Sequence, residues 1–119
     1  LVDNARIQGE YLKEKMLELQ KKHPIVGDVR GKGLFVGLEI VTDKETKQPA
    51  DESISAAIAA NCLKQGVIIG RTNRSFQTLN NTLCLSPALI TQQYEIDLIA
   101  QAIDKALTEV EEKILTPAL

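Results

Sequence analysis

The chain has no tryptophan, and aromatic residues make up only 3% of it, so stacking platforms for nucleic-acid bases are not expected. Charge of one sign is also lacking. The formal net charge is −2, which provides no electrostatic footprint for nucleic acid or an anionic membrane. No apolar run approaches the roughly 18 residues needed to cross a bilayer, so no membrane partner is expected. One histidine and two cysteines, Cys62 and Cys84, lack any metal-ligand spacing, which excludes a convincing zinc site. Two isolated cysteines fit a reducing cytoplasm better than a disulfide framework. Internal repeats and low-complexity stretches are absent as well.

What is there suits one ordered domain. The chain has 119 residues, 44% hydrophobic and 25% charged, enough for one modest core. It opens on Leu1 with no leader pattern, which points to a piece of a longer polypeptide. Ala5, Leu12, Met16 and Leu19 recur at helical spacing between about Val2 and Lys22. His23-Pro24 should end that helix, leaving His23 as a solvated helix-end residue. Ile25 to Val41 reads as strand-rich and broken by Gly31 and Gly33, with Asp28 to Arg30 as a short strand of its own. Leu34, Val36, Leu38 and Ile40 form a wholly aliphatic face that should pack on helices.

Thr42 to Ala50 is polar, contains Pro49 and reads as a surface loop. Asp51 is a fair N-cap for a helix carrying Ile54, Ala57, Ile58 and Cys62 on one side and stopping at Gly66. Val67-Ile68-Ile69 reads as a short buried strand, Arg71 to Asn81 as polar and irregular, and Thr82 to Ser86 as another strand, ended by Pro87. Thr91 should cap a last helix on which Ile96, Ile99, Ile103, Ala106 and Val110 step by three and four. Its capping box is incomplete, since the third residue after Thr91 is Tyr94 and the acid is Glu95. The order predicts an α+β fold, a small, mostly antiparallel sheet with helices packed on one face.

Few constellations carry chemistry. Arg30 to Gly37 (RGKGLFVG) has glycines like a phosphate loop, but Val36 stands where the third glycine is needed and a strand follows where a helix is required. A backbone turn requiring positive φ explains these glycines better. Both cysteines sit in apolar runs, as small core residues do, and the carboxylates scatter over helix faces and loops as solvated groups. Arg71 and Arg74 follow a buried strand and stand in a polar segment. A guanidinium leaving a strand end can hold a carboxylate through two parallel hydrogen bonds, while the plainer reading is a surface arginine.

Three motifs then add a resemblance over nearly the whole chain. His23 to Glu39 (HPIVGDVRGKGLFVGLE) is similar to the VRGxGLxxGxE pattern that opens the C-terminal small domain of class III aminotransferases. Gly66 to Arg71 (GVIIGR) and Leu83 to Leu89 (LCLSPAL), followed by Glu95-Ile96-Asp97, also resemble that family. Pro87-Ala88 replaces the common Pro-Pro, and Thr72 to Asn81 is longer than in several relatives, which leaves the register of the arginine open.

The resemblance implies the small domain of a fold-type-I, dimeric pyridoxal-phosphate enzyme, occupying residues 1–119. Its cofactor lysine and aspartate would lie in an upstream large domain outside this chain, so no lysine here is assigned that role. The implied partners are the chain's own large domain, a second subunit, an amino donor and a keto acid, in ping-pong transamination. It further implies that Arg71, with Arg74 as runner-up, binds the acceptor's carboxylate. Asn80-Asn81 leans toward taurine- and ω-amino-acid:pyruvate members. An independent α+β ligand-binding or regulatory module, or an oligomerisation domain, is the competing expectation.

Overall fold

The computed structural model describes residues 2–72, 81–86 and 92–115. The elements run α1 (Val2–Lys22), β1 (Val26–Lys32), β2 (Phe35–Asp43), β3 (Gln48–Pro49), α2 (Glu52–Lys64), β4 (Gly70–Thr72), β5 (Thr82–Leu85) and α3 (Gln93–Leu115). The strands pair in the order β1-β2-β5-β4, with β3 also on β2, and every pairing is antiparallel. This is the expected α+β layer.

The alternation of β2 decides which face meets the helices. Val36, Leu38 and Ile40 are fully buried, together with Leu12 and Met16 of α1, Ile58 and Cys62 of α2, and Ile96, Ile103 and Leu107 of α3. Burying each of the larger aliphatic side chains contributes about 1.5–3 kcal/mol. On α2 the buried side is centred on Ser55, Ile58 and Cys62, whereas Ala57 is exposed, which corrects the expected stripe. Burial pushes the Cys62 thiol up to about 11. Cys62 is therefore expected to resist iodoacetamide at about pH 8 in the folded chain and to react once denatured. Rapid labelling with native circular dichroism would contradict this.

Helix ends follow local chemistry. The Asp51 carboxylate accepts from Ser53 N–H at 3.0 Å and from the Ser53 hydroxyl at 2.6 Å. The hydroxyl first, then the backbone, hold its carboxyl below the usual range. Gly66, at φ 87°, closes α2. Gly66 N–H donates to Leu63 O and Val67 N–H to Cys62 O, both at 2.9 Å, the two bonds of a Schellman ending. Helix α3 begins at Gln93, and the Glu95 carboxylate accepts from Gln92 N–H at 3.0 Å. Half a capping box thus forms one residue later than Thr91 would require; Thr91 and Pro87 lie outside the described residues.

The strand expectations need four corrections. Asp28 to Arg30 is not a separate strand: β1 continues through Gly31, and the turn is Gly33-Leu34 alone. Gly33, at φ 59°, occupies the first central position of this two-residue hairpin, where glycine is favoured. The Thr42 to Ala50 loop is itself a hairpin, since β3 returns along β2 and Ala50 N–H donates to Ile40 O. Val67 to Ile69 is irregular, with Ile68 85% exposed, and the strand starts at Gly70. The Schellman ending consumes Val67, so strand pairing is postponed. Arg71 and Thr72 accordingly belong to β4, and Asn81 is fully buried.

Candidate functional site

The register of the sheet places Arg71. Arg71 lies opposite Leu83 on β5, which lies opposite Leu38 on β2. Directly opposed residues share a face. Leu38 and Leu83 are fully buried under the helices, so Arg71 leaves the sheet on the helix side, at its outermost strand. There its Nη1 stands 3.8 Å from Oε1 of Glu52, in the first turn of α2. Both side chains are partly exposed, and such a pair is weak enough to exchange partners. Arg74 lies outside the described residues.

A second charged group occupies the opposite sheet face. Arg30 donates from Nε to Asp28 Oδ2 at 2.6 Å, and its Nη2 lies 3.5 Å from Glu39 Oε2. Asp28, with its hydrogen bond first and its charge second, holds the Arg30 guanidinium above its ordinary range. Glu39 is buried, contrary to the expectation that the carboxylates are all solvated. The RGKGLFVG stretch is a hairpin with a strand on either side, not a phosphate loop.

The third group overturns the reading of His23. Its residue exposure is 2%, with Nδ1 2.6 Å from Glu111 Oε1 and Nε2 2.6 Å from Asp104 Oδ1. Each ring nitrogen thus faces one carboxyl oxygen of α3, and where both carboxyls are ionised both nitrogens must donate. Lys22 adds a bond to Asp104 at 2.9 Å. Proline does end α1 after Lys22, but the tertiary fold lays this end against α3. The contacts ascend together along the two helices: Tyr11 with Asp97, Lys22 with Asp104, His23 with Glu111. Histidine before proline carried no signal of burial. The acids, 81 and 88 residues further on in α3, become its partners only through packing.

Cofactor chemistry needs a desolvated lysine for a Schiff base. All ten lysines of the chain are described, and none is buried. Lys15 pairs with Glu18, Lys22 with Asp104, and Lys44 and Lys47 donate to the carbonyls of Gln20 and Gly27. These residues do not fit a pyridoxal-phosphate lysine site. Among the described residues no cluster suits a metal ion, and no helix is long and apolar enough to cross a membrane.

A layered α+β sheet with an arginine at its edge defines a scaffold that can carry binding groups. Comparison with known proteins makes the class definite. The family profile "Aminotransferase class-III" matches residues 1–107. The chain belongs to the class III aminotransferases, a family of pyridoxal-phosphate enzymes.

More particularly, it is 54% identical over 110 residues to a hypotaurine/taurine–pyruvate aminotransferase of Paracoccus denitrificans, covering 92% of this chain and 24% of that protein. It is 50% identical over 113 residues to a taurine–pyruvate aminotransferase of Bilophila wadsworthia, covering 95% of this chain and 25% of that protein. A Bacillus anthracis aminotransferase structure superposes with a TM-score of 0.83 at 39% identity, over 89% of this chain and 24% of that one. The chain thus spans about a quarter of the length of the relatives it matches.

Proposed function

We propose that this chain is the C-terminal small domain of a cytoplasmic, homodimeric transaminase that moves an amino group from an amine or amino acid to a keto acid. Pyruvate is the proposed acceptor and a taurine-like amine the proposed donor, by analogy with the taurine–pyruvate relatives at 54% and 50% identity. Pyridoxal phosphate, when bound, would carry the amino group between the two half-reactions. The lysine and the aspartate that hold it belong to the remaining polypeptide.

The role of this chain is substrate grip. The observation that carries it is Arg71 at the sheet edge, paired among the described residues with Glu52 at 3.8 Å. A guanidinium in that state can exchange Glu52 for a substrate carboxylate and bind it with two parallel hydrogen bonds. The bond orients the keto acid without taking part in bond making. Arg74 remains the runner-up for this task.

In the family-length enzyme, Arg71→Ala is expected to raise KM for pyruvate by roughly 10- to 100-fold, the loss of one charge-assisted contact. KM for an amine without a carboxylate should change about twofold at most. Equal small changes for both would reject the assignment. A donor screen with pyruvate and 2-oxoglutarate as acceptors tests the choice of substrates.

A further inference from the structure

Two arginines of this chain are held in different ways. Arg30 is fixed from two sides: Nε donates to Asp28 Oδ2 at 2.6 Å, and Nη2 stands 3.5 Å from buried Glu39. Arg71 forms one ion pair among the described residues, a single Nη1 to Oε1 contact with Glu52 at 3.8 Å. A carboxylate that took the guanidinium as a fork would make two parallel bonds of about 2.7–2.9 Å. The Glu52 pair has neither the fork nor the short distance. It neutralises Arg71 without using up its donors.

The position of the Glu52 carboxylate is set by the helix start. Glu52 is the first residue of α2, and Asp51 caps that helix by accepting from Ser53 at 3.0 and 2.6 Å. The acid next in sequence is thus committed to the helix end, while Glu52 pairs with the strand. Arg71 is the middle residue of β4 and is placed by its pairing with Leu83 of β5. Both side chains meet solvent, with exposures of 31% for Arg71 and 47% for Glu52, so a small anion can reach the pair.

The plainer role of Glu52 is to complement the helix dipole in the first turn. That role needs no arginine beside it, and it predicts an effect on stability alone.

We infer that Glu52 is a built-in competitor of the keto acid: it occupies Arg71 between substrates, and the acceptor's carboxylate must displace it to bind. The inference rests on the proposed grip of Arg71 on that carboxylate. Displacement weakens acceptor binding by the strength of one exposed ion pair, a factor of about two to five. The same competition acts on the product. Amino transfer to pyruvate yields alanine, which keeps the carboxylate, so the return of Glu52 to Arg71 favours release of alanine as it opposes binding of pyruvate.

The family-length enzyme carrying Glu52→Gln tests this. KM for pyruvate is expected to fall about two- to fivefold, and the constant for inhibition by alanine to fall by a like factor. KM for an amine without an acid group should not fall. In an Arg71→Ala background, Glu52→Gln should leave KM for pyruvate where Arg71→Ala alone puts it, since the competition has lost its object. A KM for pyruvate that stays or rises with Glu52→Gln would overturn the inference. So would a fall of the same size in the Arg71→Ala background, or an equal fall for the amine. The two readings fail separately. If Arg71→Ala raises KM for pyruvate and Glu52→Gln does nothing, competition is rejected and the grip stands. If Arg71→Ala leaves that KM unchanged, both are rejected.

Discussion

His23→Phe is expected to lower the stability of the chain by about 3–5 kcal/mol, the usual cost of removing one partner from a buried ionic group. The cause is not the lost ring volume, which phenylalanine keeps. It is the carboxylate left behind. The side chain of Glu111 is 11% exposed, and its other contact among the described residues is a long one, 3.5 Å from Ile25 N to its Oε2. Asp104 suffers less, since Lys22 still reaches it and a third of its side chain meets solvent. The double variant His23→Phe/Glu111→Leu should therefore recover most of the loss, because replacing both members by apolar groups removes the unpaired charge. Urea titrations of the two variants decide this; a double variant as unstable as the single one would mean that packing, not charge, is at stake.

The same cluster sets a pH dependence of known sign. Burial acts to raise the Asp104 carboxyl, but hydrogen bonds from Lys22 and His23, with their charges, outweigh it and hold the group below its usual value. A carboxyl depressed in the folded state contributes stability above its unfolded value, about 3.9, and that contribution is lost as pH falls through the lower folded value. The stability gap between the chain and an Asp104→Asn variant should accordingly be full near neutral pH and shrink below about pH 4.

The second large effect lies where helix and hairpin touch. Gly9 is in the middle of α1, and propensity alone says that Gly9→Ala should stabilise by about 1 kcal/mol. The structure reverses the sign. An alanine Cβ there would stand 2.1 Å from the carbonyl oxygen of Gly33 and 2.3 Å from its carbonyl carbon. Both are backbone atoms, so no rotamer change relieves the overlap, and the helix must move off the hairpin. A net loss of about 2–3 kcal/mol is expected, with a fall in Tm of roughly 10 °C. Thermal unfolding followed by circular dichroism tests it, and a Tm that rises would refute the close approach of α1 to the turn.

These two positions also mark how far the sequence reaches. The stripe Leu12, Met16, Leu19 could be read because helical period puts those residues on one side, and all three are buried. The aliphatic face of β2, the Asp51 cap, the Gly66 stop and the positive φ of Gly33 were legible for the same reason: each depends on neighbours within a few residues. Arg71 was legible as a candidate, but its direction was not. It depends on which residue of β5 lies opposite, and so on a register between strands that are not adjacent along the sheet's main hairpin.

The misreadings share one cause. His23 was read as solvated because it follows a helix and precedes a proline, yet its partners are 81 and 88 positions away. Gly9 carried no signal in the sequence, and only the position of Gly33 explains it. Val67 to Ile69 had the composition of a strand, but the helix ending used its backbone first.

By itself, then, the sequence determined the α+β class, most of the helices and strands, the residues that form the core and the membership in the class III aminotransferases. Those depend on periodicity, local hydrogen bonding and ordered motifs, all of which are written along the chain. The tertiary structure decided which charges are buried, which glycines face another backbone and which sheet face the helices cover. Those depend on distances between residues far apart in sequence, which only the packed fold brings within a few ångströms.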